Sequence, residues 1–96
     1  MTCTLKILAQ VNVRSGPNTQ AKVCGVLKQA AGVTVTIWAR SQDNEWVRVE
    51  AKYYENQEQQ QPSKQGKAWM TTDENYVKIN CDFGGLPISE ETTSCQ

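Results

Sequence analysis

The stretch Val11-Asn12-Val13-Arg14-Ser15-Gly16-Pro17-Asn18-Thr19 decides the fold. It opens as an alternation of apolar and polar residues, the period of a strand with one buried face. It stops in Ser-Gly-Pro-Asn, a cluster that turns the chain: Gly16 supplies backbone freedom, Pro17 fixes φ, and Asn18 bonds its own backbone. Upstream the same alternation reaches back to Leu5, with Leu5, Ile7, Ala9, Val11 and Val13 on one face and Lys6, Gln10 and Asn12 on the other. Only Leu8 falls out of phase. Downstream, residues 21–27 read as a second apolar strand in which Gly25 marks a bulge or a close backbone approach.

Past Gly32, Val33, Val35 and Ile37 alternate with Thr34, Thr36 and Trp38, and this density of β-branched residues favours a strand. Ser41-Gln42-Asp43-Asn44 is a polar turn into Trp46-Val47-Arg48-Val49-Glu50, so the two strands form a hairpin. After Ala51 the composition changes. Tyr53 and Tyr54 lead into a glutamine-rich insertion, about residues 52–66, with too little apolar content for a core. It is expected to be an extended, mobile loop. Pattern resumes at Lys67-Ala68-Trp69-Met70 and closes with Tyr76-Val77-Lys78-Ile79, with a 3₁₀ turn expected around residues 71–75. From Asp82 onward Gly84-Gly85, Pro87 and a polar run describe an irregular tail over 83–96. Short strands between turn signals predict an all-β chain: one small barrel over 1–82, then the tail.

Ninety-six residues fit a single domain. Ten basic and ten acidic side chains cancel, so the field that draws nucleic acid is missing and no nucleic-acid partner is expected. No apolar stretch approaches the ~18 residues of a membrane span, so no membrane insertion is expected. No signal-peptide pattern opens the sequence, and the domain is expected to be part of a longer secreted or membrane-tethered chain.

The four cysteines, Cys3, Cys24, Cys81 and Cys95, are many for this length and even in number. They form no C-x-x-C pair, and the chain has no histidine, so no metal site is expected. Two disulfides in an oxidising, extracytoplasmic compartment are expected in preference to buried free thiols. Without histidine the usual general base is gone, and with it any Ser-His or Cys-His nucleophile. The carboxylate pairs Asp73-Glu74 and Glu90-Glu91 fall in a polar turn and in the tail, where solvated surface charge is the ordinary outcome. No catalytic residue and no cofactor is expected.

The Asn-Val-Arg-Ser-Gly-Pro motif at 12–17 resembles the opening of bacterial SH3 domains, and the likeness runs from about residue 5 to residue 79. Val23-Cys24-Gly25-Val26-Leu27 is similar to the family's second element, with Cys24 at a usually aliphatic place. Val33-Thr34-Val35, Trp46-Val47-Arg48-Val49 and Trp69 with Tyr76-Val77 complete the order. Two departures stand out: Ala68 replaces a usual glycine, and the glutamine-rich insertion replaces a tight hairpin. The resemblance implies an SH3-like barrel whose first and last strands are neighbours. That implies a Cys3–Cys81 disulfide, with Cys24 and Cys95 tethering the tail; Cys3–Cys24 with Cys81–Cys95 remains open.

The resemblance also implies a non-catalytic binding module for peptidoglycan peptide or glycan, or for a polypeptide partner, within a larger protein. A structural spacer without a ligand of its own is the other expectation. Aromatic residues are where binding would be sought, since they dominate contact hot spots. Trp38, opposite the Val35/Ile37 face, is a candidate platform, and packing beside Trp46 is its alternative. Tyr53 and Tyr54, at the mouth of the insertion, either grip a ligand or anchor the loop. Trp46 and Trp69 read as core. Asn12 and Arg14 either contact a ligand or tie the following loop's carbonyls.

Overall fold

The computed structural model describes residues 3–29 and 35–94. The strands are β1 (Thr4–Ile7), β2 (Val11–Arg14), β3 (Val23–Leu27), β4 (Val35–Arg40), β5 (Trp46–Tyr53), β6 (Lys64–Thr71) and β7 (Val77–Ile79), followed by a 3₁₀ turn at Phe83–Gly85. All seven join one antiparallel sheet in the order β3-β2-β6-β5-β4-β1-β7. The sheet curls until β3 meets the end of β5, where Val26 and Tyr54 exchange backbone hydrogen bonds of 2.8 and 2.9 Å. The result is a curled half-barrel, consistent with the small barrel that the short alternating strands predict. Val33, Thr34 and Gly32, at the expected start of β4, lie outside the described residues, as does Cys95.

The apolar face of each alternation turns inward. Leu5, Ile7, Val11, Val13, Val35, Ile37, Val47, Val49 and Val77 form the core with Leu27 and Met70. Ala68 is buried among them and pairs with Val49, so the extra methyl is absorbed in the core. The expected single strand from Leu5 to Val13 is divided. Leu8 and Ala9 leave the ladder and both donate their backbone N–H to the Tyr76 carbonyl, at 2.8 and 3.3 Å. The break lets β1 pair with β4 and β7 while β2 pairs with β3 and β6. A strand that changes partners must bend, and it bends at the out-of-phase leucine.

Gly25 makes the close approach that its strand context predicts. A Cβ there would stand 2.6 Å from the Tyr53 ring and closer still to the Tyr54 carbonyl. The β2–β3 register also shifts beside it, with Val13 opposite Gly25 but Arg14 opposite Val23. Gly16, by contrast, has an ordinary φ, and a side chain there would meet only normal contacts.

The 41–45 turn is built by side chains. Ser41 Oγ donates to Asp43 Oδ1 at 2.6 Å, Asp43 accepts from Glu45 N–H at 3.0 Å, and Asn44 takes a positive φ of 62°. The expected 3₁₀ turn at 71–75 is instead a hydrogen-bonded turn in which the Tyr76 and Val77 amides donate to the Asp73 carbonyl.

The hairpin arms run further into the glutamine-rich insertion than composition implies, because Ala51↔Gly66, Lys52↔Gln65 and Tyr53↔Lys64 continue the ladder. The remaining connection, 54–63, is folded on itself rather than extended. Gln59 Oε1 accepts from Glu55 N–H at 2.7 Å and from Ser63 Oγ at 3.1 Å, while Lys28 Nζ donates to the Gln59 carbonyl at 2.6 Å.

Cys3 and Cys81 are disulfide-bonded with their Cα atoms 5.4 Å apart, flanking the β1–β7 pair as the resemblance implies. No described cysteine is free. Phe83 and Leu86 then pack on the core edge, and the chain crosses the outer surface of the sheet. Arg40 N–H donates to the Pro87 carbonyl and Ser89 N–H donates back to Arg40, both at 3.0 Å. Farther on, Thr93 N–H reaches the Ser15 carbonyl at 2.7 Å. The tail is therefore a strap across four strands, not a loose end.

Candidate functional site

Asn12 and Arg14 alternate with the buried Val11 and Val13, so β2 presents both outward. Arg14 ties the loop that follows: its Nη1 donates to the Thr19 and Ala21 carbonyls at 3.2 and 3.0 Å. Asn18 Oδ1 accepts from Gln20 N–H at 2.9 Å, closing the Asx turn read from the sequence. The loop so held places Thr19 opposite the start of β5 and the end of β6.

Those elements surround a cleft of about 400 Å³. Its floor and sides are Val11, Asn12, Arg14 and Thr71, and its aromatic walls are Trp46 and Tyr76. Trp46 is half-buried because it begins β5 on the outer face, in phase with Arg48 and out of phase with Val47 and Val49. Tyr76 is 42 % exposed at the turn before β7. A second hollow, 390 Å³, shares Thr19, Trp46 and Thr71 and adds Glu45 and Asp73 at its far end. Together they make a groove with aromatic faces, amide and hydroxyl groups along it, and carboxylates at one mouth.

No side chain makes a hydrogen bond to the Asn12 amide among the described residues, although Arg14 beside it is engaged. An amide offers two donors and an acceptor. Beside two accessible aromatic faces, it suits a ligand that is polar, uncharged and rich in hydrogen-bonding groups. Asp43, in the turn next to Trp46, is held below its ordinary value of 3.8 by the Ser41 hydroxyl and then by the Glu45 N–H. Among the described residues no three His, Cys, Asp or Glu side chains converge to hold a metal, and no helix is long and apolar enough to cross a membrane.

The sequence-predicted aromatics are dispersed. Trp38 is 49 % exposed where the β4–β5 register slips between Ile37 and Ala39, and Lys67 Nζ lies 5.2 Å from its ring centre. It does not line the cleft. Tyr53 belongs to the core, buried against Gly25, and is removed from the set of candidate contacts. Tyr54 is half-buried with Lys28 Nζ 4.4 Å from its ring centre. No single cluster of Trp38, Tyr53 and Tyr54 exists. Trp69 is fully buried, as expected, yet stands outside the core on the outer face beneath the strap, where its indole N–H donates to the Glu91 carbonyl at 2.7 Å.

Trp46, expected in the core, is half-buried and lines the cleft instead, and with Tyr76 it is an aromatic lining residue that sequence reasoning did not single out. The signal for Trp46 was present in its phase against Val47 and Val49. Tyr76 was read only as part of the family-like Tyr76-Val77 pair; it comes to Asn12 because its carbonyl accepts from the Leu8 and Ala9 N–H groups just before β2.

The family described as Bacterial SH3 domain matches residues 9–78, most of the chain and all of the cleft. No curated protein and no solved structure matches the chain.

Proposed function

This chain belongs to the bacterial SH3 domain family, and from that premise we propose that it is a non-catalytic extracytoplasmic module that binds cell-wall peptide or glycan in the Trp46–Tyr76 cleft. The observation that carries this reading is the cleft that brings the outward-facing Asn12 amide together with the aromatic side chains of Trp46 and Tyr76. Amide and hydroxyl groups of a wall fragment would complete the Asn12 hydrogen bonds while the rings cover its apolar edges. The Cys3–Cys81 disulfide fits an oxidising compartment, and any enzymatic activity belongs to the larger protein that carries the module.

Retention of the oxidised domain on purified peptidoglycan tests this. Tyr76→Ala and Asn12→Ala are expected to weaken retention, the tyrosine by about 30-fold, equivalent to about 2 kcal/mol. Trp38→Ala is expected to leave it unchanged. Loss with Trp38→Ala and retention with Tyr76→Ala would move the site to the exposed tryptophan. No retention of the wild type on walls of several types would overturn wall binding and favour a spacer or a module for polypeptide partners.

A further inference from the structure

The outer face of the sheet holds a row that the core does not use. Trp69 on β6 pairs with Arg14 on β2 and with Arg48 on β5, and Ala39 on β4 pairs with Arg48. Trp69 and Ala39 are both buried, yet neither belongs to the hydrophobic core. The strap, residues 86–93, is what crosses this face.

The manner of that covering is informative. Arg40 holds the Leu86 and Pro87 carbonyls and the Ser89 N–H; the Trp69 indole holds the Glu91 carbonyl; Ser15 holds the Thr93 N–H. Every one of these bonds engages the main chain of the strap, so they read an extended backbone and not a particular sequence. The side-chain-specific contact is the ion pair between Arg48 and Glu91, with Arg48 largely buried and Glu91 exposed. Groups that bind this way recognise an extended segment with a carboxylate at one position.

The fit is incomplete. Among the described residues, the buried side-chain polar atoms without a hydrogen-bond partner are Arg48 Nε and Thr93 Oγ1, and both lie in this contact. Such atoms are normally satisfied, so the strap is an imperfect occupant of the groove. It is also held from one side only, with Ile88 51 % exposed. Finally, Arg14, Arg40, Arg48 and Trp69 all lie within the matched residues 9–78, whereas the strap lies beyond them.

We propose that the Arg48–Trp69 groove is a docking site for an extended acidic polypeptide segment of a partner, and that residues 86–93 occupy it in cis and yield to that segment. The inference does not rest on wall binding in the Trp46–Tyr76 cleft: Arg14 borders both, but Arg40, Arg48, Trp69 and Glu91 do not line the cleft.

The test uses the full oxidised chain, the Trp69 indole N–H resonance, and a synthetic peptide of residues 86–94 with blocked ends. Glu91→Lys sets a like charge against Arg48 and is expected to release the indole N–H to faster exchange, with the core methyl resonances unchanged. The peptide should then bind Glu91→Lys about ten-fold tighter than it binds the wild type, whose own strap competes at high effective concentration. It should also restore the wild-type indole shift. A peptide with Glu91→Gln should bind several-fold more weakly, and adding Arg48→Ala to the chain should remove the preference for the carboxylate. If Glu91→Lys perturbs the core, Glu91→Gln in the chain replaces it, with the same expectations at smaller amplitude. The proposal is overturned if the released indole is not restored by peptide, if the indole stays protected in both variants, or if the peptide shifts only Asn12 and Tyr76.

Discussion

At Gly25 the absence of a side chain is a packing requirement, because the Tyr54 carbonyl and the Tyr53 ring occupy the space where a Cβ would stand. Gly25→Ala is expected to destabilise the fold by about 3 kcal/mol, read as a lower urea midpoint at unchanged slope. A loss below about 1 kcal/mol would show that β3 and Tyr54 separate easily. Asp43 makes a different residue-scale prediction. Its folded pKa lies below the ordinary 3.8, so its contribution to stability is present above that value and is lost as pH falls through the folded pKa. Ser41→Ala removes the larger cause, and the Asp43 carboxyl should then titrate closer to 3.8 in a carbon-detected NMR titration. An unmoved titration would show that the backbone N–H groups of Glu45 and Asp43 set the shift without the hydroxyl.

Among the elements, the insertion gathers most of its hydrogen bonds on one residue, Gln59, with Asn56 turning the chain beside it. Gln59 accepts from Glu55 and Ser63 through its amide oxygen and from Lys28 through its carbonyl. Gln59→Ala is expected to raise hydrogen exchange at the Glu55 amide and to speed proteolysis between Tyr54 and Lys64, while costing the barrel less than about 1 kcal/mol. Unchanged exchange at Glu55 would mean that the hairpin arms alone fix the loop. This element also shows where sequence reading runs out. The β4–β5 hairpin was legible because its strands have a period of two and its turn carries Ser, Asp and Asn. The loop's contacts are polar groups meeting backbone and side-chain amides, which leave no period in a glutamine-rich run. The strap was hidden for a related reason: its partners bind its main chain, and any polar sequence supplies that. Within the cleft, Asn12 and Arg14 could be picked from the opening motif. Trp46 comes beside them across the β2–β6–β5 ladder and Tyr76 through the bonds of its carbonyl to Leu8 and Ala9, so positions 12, 46 and 76 share no local signal.

For the whole molecule, the sheet is an open ribbon whose β3 edge curls over to meet the end of β5, and two devices hold it in shape. One is the Val26–Tyr54 exchange, and the other is the Cys3–Cys81 bridge beside β1 and β7. The bridge closes a span of 78 positions, for which loop-closure entropy gives about 4 kcal/mol. Replacing Cys3 and Cys81 by serine is expected to lower unfolding free energy by about 2–5 kcal/mol in denaturant melts, with the β-sheet circular dichroism retained at low temperature. Loss of less than about 1 kcal/mol would place the stability in the ladder and core instead.

The same bridge determines how the barrel would respond to a pull applied across its two cysteines. Cys3 stands just before β1 and Cys81 just after β7, and these strands run antiparallel as neighbours. Tension entering at one cysteine and leaving at the other would, without the bond, peel this pair rung by rung from its near end. With the bond in place, that tension crosses from sulfur to sulfur, and the strands between them feel none of it. Oxidised, the barrel is a bead on a taut line; reduced, it becomes a spool that a pull can unwind.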